Sequence, residues 1–254
     1  MAFNGRFEQG ATVIGRTTPG AYVAVDGQYV GKASGQGLFV VGFDRDAAPQ
    51  AAIAVSDRDR IVQRQAQITD GRWDVQRIDG LPQDQVNPEG EALLARIAAE
   101  NIRKAAGFAS NIDADYFRDG FDMPLAATRI SGRFGGQRIL NGQPMRPHYG
   151  TDLAAPLGTP IVAPCAGVVS FAETGLHYEG GLTMIDHGQG LVTAYLHQSS
   201  VEVSRGDVVR RGQRIGAVGK EGRATGPHLC WRMKWRGRYL DPAALLGIEA
   251  PLRV

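Results

Sequence analysis

Cysteine, net charge and long apolar runs are all scarce in this sequence, and each scarcity excludes a class of protein. Two cysteines among 254 residues, Cys165 and Cys230, are too few for a disulfide-stapled scaffold. The net charge is only +2, and no block of lysine and arginine is present that would favour a nucleic-acid partner. No run of 18 apolar residues occurs, so we expect no membrane-spanning helix, and the first residues predict no signal peptide.

The amino-acid composition is typical of a soluble β protein with well-formed hydrophobic cores. Hydrophobic residues make up 43% of the chain and charged residues 21%. Glycine, with 34 residues, has about twice its usual share, and short alternating runs are separated by turn residues. The clearest hairpin signal is "YVAVDGQYVG" (22–31), where Asp-Gly joins two such runs. We therefore predict a mainly β fold.

Three segments of different character predict the domain organisation. Residues 1–84 are typical of a small β-sandwich, which we expect to be a spacer or a binding module. Residues 85–122 are interpreted as a helical linker, and residues 123–254 return to strand-like runs with Gly and Pro between them.

The linker predicts one helix over 87–110. Asn87 is the expected N-cap, and Gly107 is expected near the end of the helix. Its apolar residues at near-helical spacing are Leu93, Leu94, Ile97 and Ile102. We expect this helix to pack between two domains without a catalytic role.

All five histidines lie in the third segment, and this concentration is the main functional signal. They are His148, His177, His187, His197 and His228. His148 and Asp152 are four residues apart in "RPHYGTDLAAP", where Pro and Gly disfavour a helix. On a straight strand the two would lie roughly 13 Å apart, too far to share a metal ion, so the chain must curl near Gly150 if both are ligands.

The strand "HLCWRMKW" (228–235) places its cysteine on an unexpected face. Alternation sends His228, Cys230, Arg232 and Lys234 to one side and the apolar Leu229, Trp231, Met233 and Trp235 to the other. A structural cysteine belongs with the apolar set, so Cys230 is a metal ligand, a reactive thiol or an accident of sequence.

In "LVTAYLH", alternation places His197 with Tyr195 and Thr193, as a candidate base or oxyanion stabiliser. His187, at a hairpin turn, is expected to be structural, and His177 is assigned no role.

Three short segments resemble, in chain order, the motifs of the lysostaphin-type (LytM-like) peptidoglycan metalloendopeptidases. The motif H-x-x-x-D is matched by His148-Tyr-Gly-Thr-Asp152, Tyr-x-His by Tyr195-Leu-His197, and H-x-H by His228-Leu-Cys230. The similarity covers roughly residues 125–245 and includes "ISGRFG", "GTPIVAPCAGVV" and "LDPAALL". It implies a compact antiparallel β domain with an open groove. It also implies zinc ligands at His148, Asp152 and position 230, with His197 and His228 as the two non-ligand histidines that flank the attacking water.

Position 230 departs from the family pattern, because this chain has a cysteine where the family has its third histidine ligand. A thiolate binds zinc well. Its charge makes a His, Asp and Cys site formally neutral, which raises the pKa of a zinc-bound water from near 7 toward 9. We predict retained zinc binding with reduced or alkaline-shifted hydrolysis. A disulfide between Cys165 and Cys230 would instead remove the ligand.

The resemblance implies hydrolysis of peptide cross-links in bacterial peptidoglycan, with its stem peptides as substrate and a periplasmic or other extracytoplasmic location. The alternative is a catalytically degenerate LytM-like factor that binds cell wall or activates another hydrolase, with a cell-wall hydrolase or division protein as partner. Biotinyl- or lipoyl-carrier domains are disfavoured, because Lys220 and Lys234 lack the tripeptide context of a carrier lysine.

Overall fold

The computed structural model describes residues 1–58 and 60–251, and most of its regular structure is strand. The predicted segments 1–84 and 123–254 also include residue 59 and residues 252–254, which lie outside the described residues. The mainly β fold is confirmed. Among the described residues, no helix has the length and apolar character that crossing a bilayer requires.

The regular elements follow in chain order. The first strands are β1 (Ala2–Gly5), β2 (Thr12–Arg16), β3 (Tyr22–Val25), β4 (Gln28–Lys32), β5 (Leu38–Gly42), β6 (Gln50–Asp57), β7 (Arg60–Gln67) and β8 (Val75–Ile78). The helices are α1 (Gln83–Val86) and α2 (Glu91–Phe108), with 3-10 turns at Tyr116–Asp119 and Pro242–Leu245. The later strands are β9 (Arg129–Gly132), β10 (Gln137–Leu140), β11 (Gln143–Pro144), β12 (Thr151–Ala154), β13 (Pro160–Val162), β14 (Gly167–Leu176), β15 (Gly180–Asp186), β16 (Leu191–Val201), β17 (Val208–Val209), β18 (Arg214–Val218), β19 (His228–Trp235) and β20 (Arg238–Leu240).

Strands β1 to β7 form two antiparallel sheets around one apolar core. The sheet orders are β1-β2-β5 and β4-β3-β6-β7, and side chains from both, such as Val41 and Val23, are buried in the same cluster. Asp26 and Gly27 join β3 to β4 with φ angles of 51° and 76°. Positive φ at both central residues is what a tight hairpin turn requires, so the hairpin predicted from Asp-Gly is present.

The core of this sandwich continues into the C-terminal half of the chain. Trp235, Leu240 and Leu245 are buried in the same cluster as Val23 and Val41. Strand β8 also pairs in parallel with β10, which adds a second link between the two halves. The domain boundaries at residues 84 and 122 stay a prediction, and apolar packing runs across them.

The helical linker begins and ends elsewhere than predicted. Asn87 follows the short helix α1 as its C-cap, and α2 begins at Glu91 after Gly90. Gly107 lies inside the last turn of α2 and does not end the helix. A glycine fits at this position because α2 packs closely on the sheet there. A Cβ at Gly107 would lie only 2.9 Å from the Met184 sulfur.

The buried face of α2 also differs from the predicted apolar stripe. Ile97 is buried, but Leu94 and Ile102 are exposed, whereas Glu100 and Lys104 face the sheet. Helical spacing alone cannot anticipate this rotation, because the buried charges are compensated by partners in the turn between β14 and β15, far away in the chain.

The C-terminal half is built on a ten-stranded antiparallel sheet with the central order β17-β14-β15-β16-β19-β12-β9. Along β19, partly exposed and buried side chains alternate as the sequence predicted. Cys230 shares the face of His228 and Arg232 but is itself buried, in one cluster with Leu196 and Ala194 of β16. Cys230 therefore lies where the polar part of this face meets an apolar cluster.

Candidate metal centre

The pairing of β12 with β19 places Asp152 directly beside Cys230. Cross-strand partners of this kind point to the same face, so the register alone brings a carboxylate and a sulfur together. His148 lies before β12 and returns to the same point because the chain bends at Gly150. A Cβ at Gly150 would lie 3.0 Å from the Cys230 sulfur, so glycine allows the bend to lie against β19. The curl that the sequence required near Gly150 is present.

Three buried donor atoms converge at this point. His148 Nε2 lies 3.1 Å from Asp152 Oδ1 and 3.4 Å from Cys230 Sγ. The three ligand atoms all lie within 4.8 Å of one another. The residues are only 2%, 7% and 1% exposed, respectively. Side chains of these types are seldom buried together without compensation, and a shared cation would supply it.

The donor set fits a zinc ion. Zinc bonds of about 2.0–2.3 Å at tetrahedral angles place neighbouring ligand atoms roughly 3.3–3.6 Å apart, within a few tenths of an ångström of the two distances above. Nitrogen and sulfur donors bind zinc more favourably than they bind hard cations such as Mg²⁺ and Ca²⁺, which prefer oxygen ligands. Asp152 Oδ1 accepts no hydrogen bond of good geometry from the described residues, so it is available as a ligand. Three protein ligands would leave a fourth position for water or substrate.

The Asp152 carboxylate is strongly stabilised in its ionised form. Burial by itself raises the pKa of Asp152, but the neighbouring His148, Arg138 and His228 outweigh burial and lower this pKa well below its usual range. Arg138 Nη2 lies 2.7 Å from Asp152 Oδ2. This ion pair holds one carboxylate oxygen and leaves the other facing His148.

The Cys230 sulfur has an arginine of its own. Burial raises the pKa of the Cys230 thiol to about 12, and Arg232 opposes that rise. Arg232 Nε donates a hydrogen bond to Cys230 Sγ over 3.4 Å. A bound cation would act in the same direction as the guanidinium, because it stabilises the thiolate. Asp152 and Cys230, the two residues that would bind a cation as anions, are therefore each contacted by one arginine.

His197 and His228 lie side by side next to the three donor atoms. Their ring centroids are 4.7 Å apart, and His228 Nε2 lies 3.8 Å from Asp152 Oδ1. Each Nδ1 faces a backbone carbonyl, that of Glu221 at 2.7 Å for His197 and that of Gly226 at 2.9 Å for His228. Each Nδ1 is thus assigned the proton, which leaves the lone pair on Nε2. Burial lowers the pKa of His197 to about 3, so this ring is neutral.

His197 reaches this position through a left-handed backbone conformation. Its φ is 66°, a region that residues other than glycine rarely adopt. Strict alternation predicts His197 on the face of Tyr195, whose ring is buried in the opposite apolar cluster. The left-handed residue breaks the alternation and turns the imidazole toward His228. Period-2 reasoning cannot detect such an irregularity, because it depends on tertiary contacts.

The other histidines lie outside this cluster. His187 is fully buried and contacts the Ala166 carbonyl and the Thr193 hydroxyl through its two ring nitrogens, which agrees with the structural role expected for it. His177 Nε2 lies 3.1 Å from the Asp84 carbonyl of α1.

Both cysteines are free thiols. Cys165 is buried in the core shared with the N-terminal sheets and donates to the Tyr116 carbonyl over 3.1 Å. The structure therefore does not support the alternative in which a Cys165–Cys230 disulfide removes the third ligand.

A groove of about 270 Å³ opens beside the candidate centre. Asp152 and His228 line it from the C-terminal sheet, whereas Gln76, Ile78 and Leu81 line it from the segment that precedes α1. Sequence reasoning missed this contribution, because residues 75–81 contain no metal-ligating or catalytic residue type in a recognisable pattern.

Sequence reasoning also missed the two arginines at the centre. Arg232 had a usable signal, because it stands two positions after Cys230 on the same strand face. No sequence signal pointed to Arg138, since its proximity to Asp152 depends on how β10 lies against β12.

The model of peptidase family M23 matches residues 146–242. The range contains His148, Asp152, His197, His228 and Cys230, and the family resemblance predicted from the motifs is confirmed.

Individual relatives agree with this family. The chain is 43% identical over 115 residues to the peptidoglycan DD-endopeptidase ShyA of Vibrio cholerae, a match that covers 44% of this chain and 26% of ShyA. It is 40% identical over 129 residues to the DD-carboxypeptidase/endopeptidase Mpg of Neisseria meningitidis, covering 50% of this chain and 30% of Mpg. The chain thus spans less than a third of these curated relatives.

One solved structure is similar over nearly the whole chain. It is the crystal structure of a candidate M23 peptidase from Pseudomonas aeruginosa, with a TM-score of 0.72 and 26% identity. The match covers 95% of this chain and 96% of that one, so the likeness extends well beyond the family domain.

Proposed function

We propose that this protein is a zinc-dependent endopeptidase that hydrolyses peptide cross-links of bacterial peptidoglycan. The observation that carries the proposal is the convergence of His148, Asp152 and Cys230, whose buried donor atoms lie within 4.8 Å of one another. Two relatives named as endopeptidases, ShyA and Mpg, support the reaction class, and the name of ShyA supports peptidoglycan as the substrate.

The residues of the site divide into metal ligands and proton carriers. His148 Nε2, Asp152 Oδ1 and Cys230 Sγ would hold the zinc ion, which supplies Lewis-acid polarisation and an activated water when bound. His228 Nε2 lies 3.8 Å from Asp152 Oδ1, and the His197 ring lies against that of His228. We propose that these two rings accept a proton from water and return it to the departing amine. The protonated form of either ring can also stabilise negative charge on the scissile carbonyl oxygen.

The groove beside the site suits an extended peptide. Residues 76–81, residues 223–227 and strands of the C-terminal half line it, and Asp152 and His228 are among the lining residues. Because peptidoglycan lies outside the cytoplasmic membrane, we propose that the protein acts in the periplasm or another extracytoplasmic compartment. A cell-wall hydrolase or division protein as partner stays a prediction.

The decisive experiment combines metal analysis with digestion of cross-linked muropeptides. Protein prepared without chelator is expected to contain about one zinc per chain and to cleave the cross-link. Cys230→Ser should lose the zinc, because a hydroxyl is a much poorer zinc ligand than a thiolate. Cys165→Ser is the matched control, since this second buried cysteine is hydrogen-bonded to Tyr116 and should leave the zinc content unchanged.

The variant Cys230→His distinguishes an active endopeptidase from the alternative, a catalytically degenerate factor that binds cell wall or activates another hydrolase. If the native protein and the His variant both cut, the proposal stands, and the His variant is expected to be more active at neutral pH. If the native protein holds zinc but only Cys230→His cuts, the native chain is a wall-binding or regulatory factor. Absence of zinc from the native protein would contradict the metal site itself.

A further inference from the structure

Helix α2 buries two charged residues against the C-terminal sheet. Glu100 and Lys104 are 4% and 7% exposed, which is rare for these residue types unless they are paired. Lys104 Nζ lies 2.7 Å from Glu179 Oε2, and Glu100 accepts a hydrogen bond from the backbone N–H of His177 at 2.9 Å. Both partners belong to the turn of residues 177–180, which joins β14 to β15 and ends on the first residue of β15. Both buried charges thus contact one short turn, and Glu100 also pairs with Arg96 of the same helix.

That turn lies directly against the backbone of His197. The N–H of His197 donates to the carbonyl of Glu179 over 2.8 Å. His197 has its left-handed φ at this point, and a residue with a side chain keeps such a conformation only when its surroundings hold it there. The Glu179 carbonyl is one of these holding contacts.

The second holding contact also depends on the turn. His197 Nδ1 donates to the carbonyl of Glu221, and Glu221 packs so closely on Gly180 that no Cβ would fit there. Between the same two segments, the N–H of Arg223 donates to the carbonyl of Tyr178 over 2.9 Å. The turn of residues 177–180 therefore supports both contacts that fix the His197 imidazole.

We propose that Lys104, acting through Glu179, is a positioning residue for His197. Helix α2 lies outside the family domain of residues 146–242, so this assigns part of the reacting geometry to the linker. The proposal rests on the proposed function for its activity readout, but the placement of the His197 ring can be measured without activity. If the buried Lys104–Glu179 pair is broken, the turn relaxes and the His197 ring moves away from His228.

The first test compares variants of one helix. Lys104→Met removes the charge with little change in length, and is expected to lower kcat for cross-link cleavage about tenfold or more, because small misplacements of a reacting group have large effects on rate. KM and zinc content should stay unchanged, and Lys104→Arg should restore most of the rate. Arg103→Gln is the matched control, because its partner Glu173 is partly exposed and lies on β14 outside the turn. Should Lys104→Met not fold, Glu179→Gln removes the other charge with its shape retained and gives the same comparison.

A double-mutant cycle with His197→Ala separates positioning from general stability. A residue that acts only by placing His197 has no further effect once His197 is absent. Lys104→Met should therefore lower the rate in the wild-type background and leave the residual rate of His197→Ala unchanged. An equal loss in both backgrounds, or wild-type kcat in Lys104→Met, would overturn the proposal.

The second test uses the imidazole signals of His197 and His187 in nitrogen-15 NMR spectra. Lys104→Met is expected to shift the ring resonances of His197 and to leave those of the distant, buried His187 in place. This result in a protein that cuts no muropeptide would sustain the positioning role and refute only the proposed function. Unmoved His197 resonances would refute the positioning role even if the protein is an active endopeptidase.

Discussion

Arg232 Nε donates a hydrogen bond to the sulfur of Cys230 across 3.4 Å, from a position two residues further along the same strand. The two side chains share a face because residues i and i+2 of a strand point the same way. A thiolate ligand adds a negative charge that a histidine ligand would not add, and the guanidinium offsets that charge. We expect the cysteine at position 230 to depend on this arginine.

Arg232→Met tests that dependence. Hydrogen bonds to charged groups contribute about 1.5–3 kcal/mol, so zinc affinity should fall roughly 10- to 100-fold. Competition with a chromophoric chelator measures the affinity. Lys234→Met is the control, because Lys234 is the next residue on the same face but contacts the rings of Tyr239 and Phe108 instead of the sulfur. Equal zinc affinity in Arg232→Met and the wild type would show that the guanidinium is irrelevant to the ligand.

Gly150→Ala tests whether the bend before β12 sets the ligand geometry. The new methyl group would come within 2.7 Å of Arg232 Cγ and 3.0 Å of the Trp231 carbonyl oxygen. We expect a loss of about 1–3 kcal/mol in the free energy of unfolding, together with weaker zinc binding. Denaturant unfolding and zinc titration measure the two effects. Gly35→Ala, where a Cβ meets nothing within 4 Å, should change neither, and normal zinc binding by Gly150→Ala would contradict the role of the bend.

The buried His187 predicts acid sensitivity of the fold. Burial lowers the pKa of His187 to about 4 from an ordinary value of 6.5, so the unfolded chain binds a proton between these pH values and the folded chain does not. The contribution to stability is complete above pH 6.5 and is lost as the pH falls toward 4, by about 2 kcal/mol at pH 5.

Urea unfolding at pH 7 and pH 5 measures that loss in the wild type and in His187→Gln. The variant should lose less stability between the two pH values, by about 2 kcal/mol. Comparing the two proteins cancels the acid effects of His148 and His197, which both share. An equal loss in the two proteins would mean that His187 does not titrate in this range.

Zinc removal is expected to lower stability without unfolding the chain. Of the three residues proposed to hold zinc, only Cys230 belongs to an apolar cluster, and Arg138 holds the Asp152 carboxylate through a 2.7 Å ion pair. Zinc at 100 times its Kd should raise the free energy of unfolding by about 2.7 kcal/mol. Thermal unfolding with zinc and with chelator measures the difference. The zinc-dependent increase in stability should persist in Cys165→Ser and vanish in Cys230→Ser. If the increase survives in Cys230→Ser, the metal binds elsewhere.

The linker shows where sequence reasoning reaches its limit. Spacing predicted a helix, and a helix is present, but its apolar stripe was misplaced because Leu94 and Ile102 face solvent. The buried positions carry Glu100 and Lys104, whose partners lie more than 70 residues away in the chain. A helical pattern contains no information about such partners, so it assigns charged residues to the outer face.

The sequence by itself determined the mainly β fold, the peptidase family and which five residues to test as a reacting centre. These follow from alternation and from short motifs, which are properties of neighbouring residues. Only the tertiary structure decided that Arg138 contacts Asp152 and Arg232 contacts Cys230. It also decided that His197 leaves the alternation of its strand and that α2 contacts the turn behind it. Each of these depends on strand register, on a left-handed backbone residue or on a contact between distant segments, and none of them is encoded in local spacing.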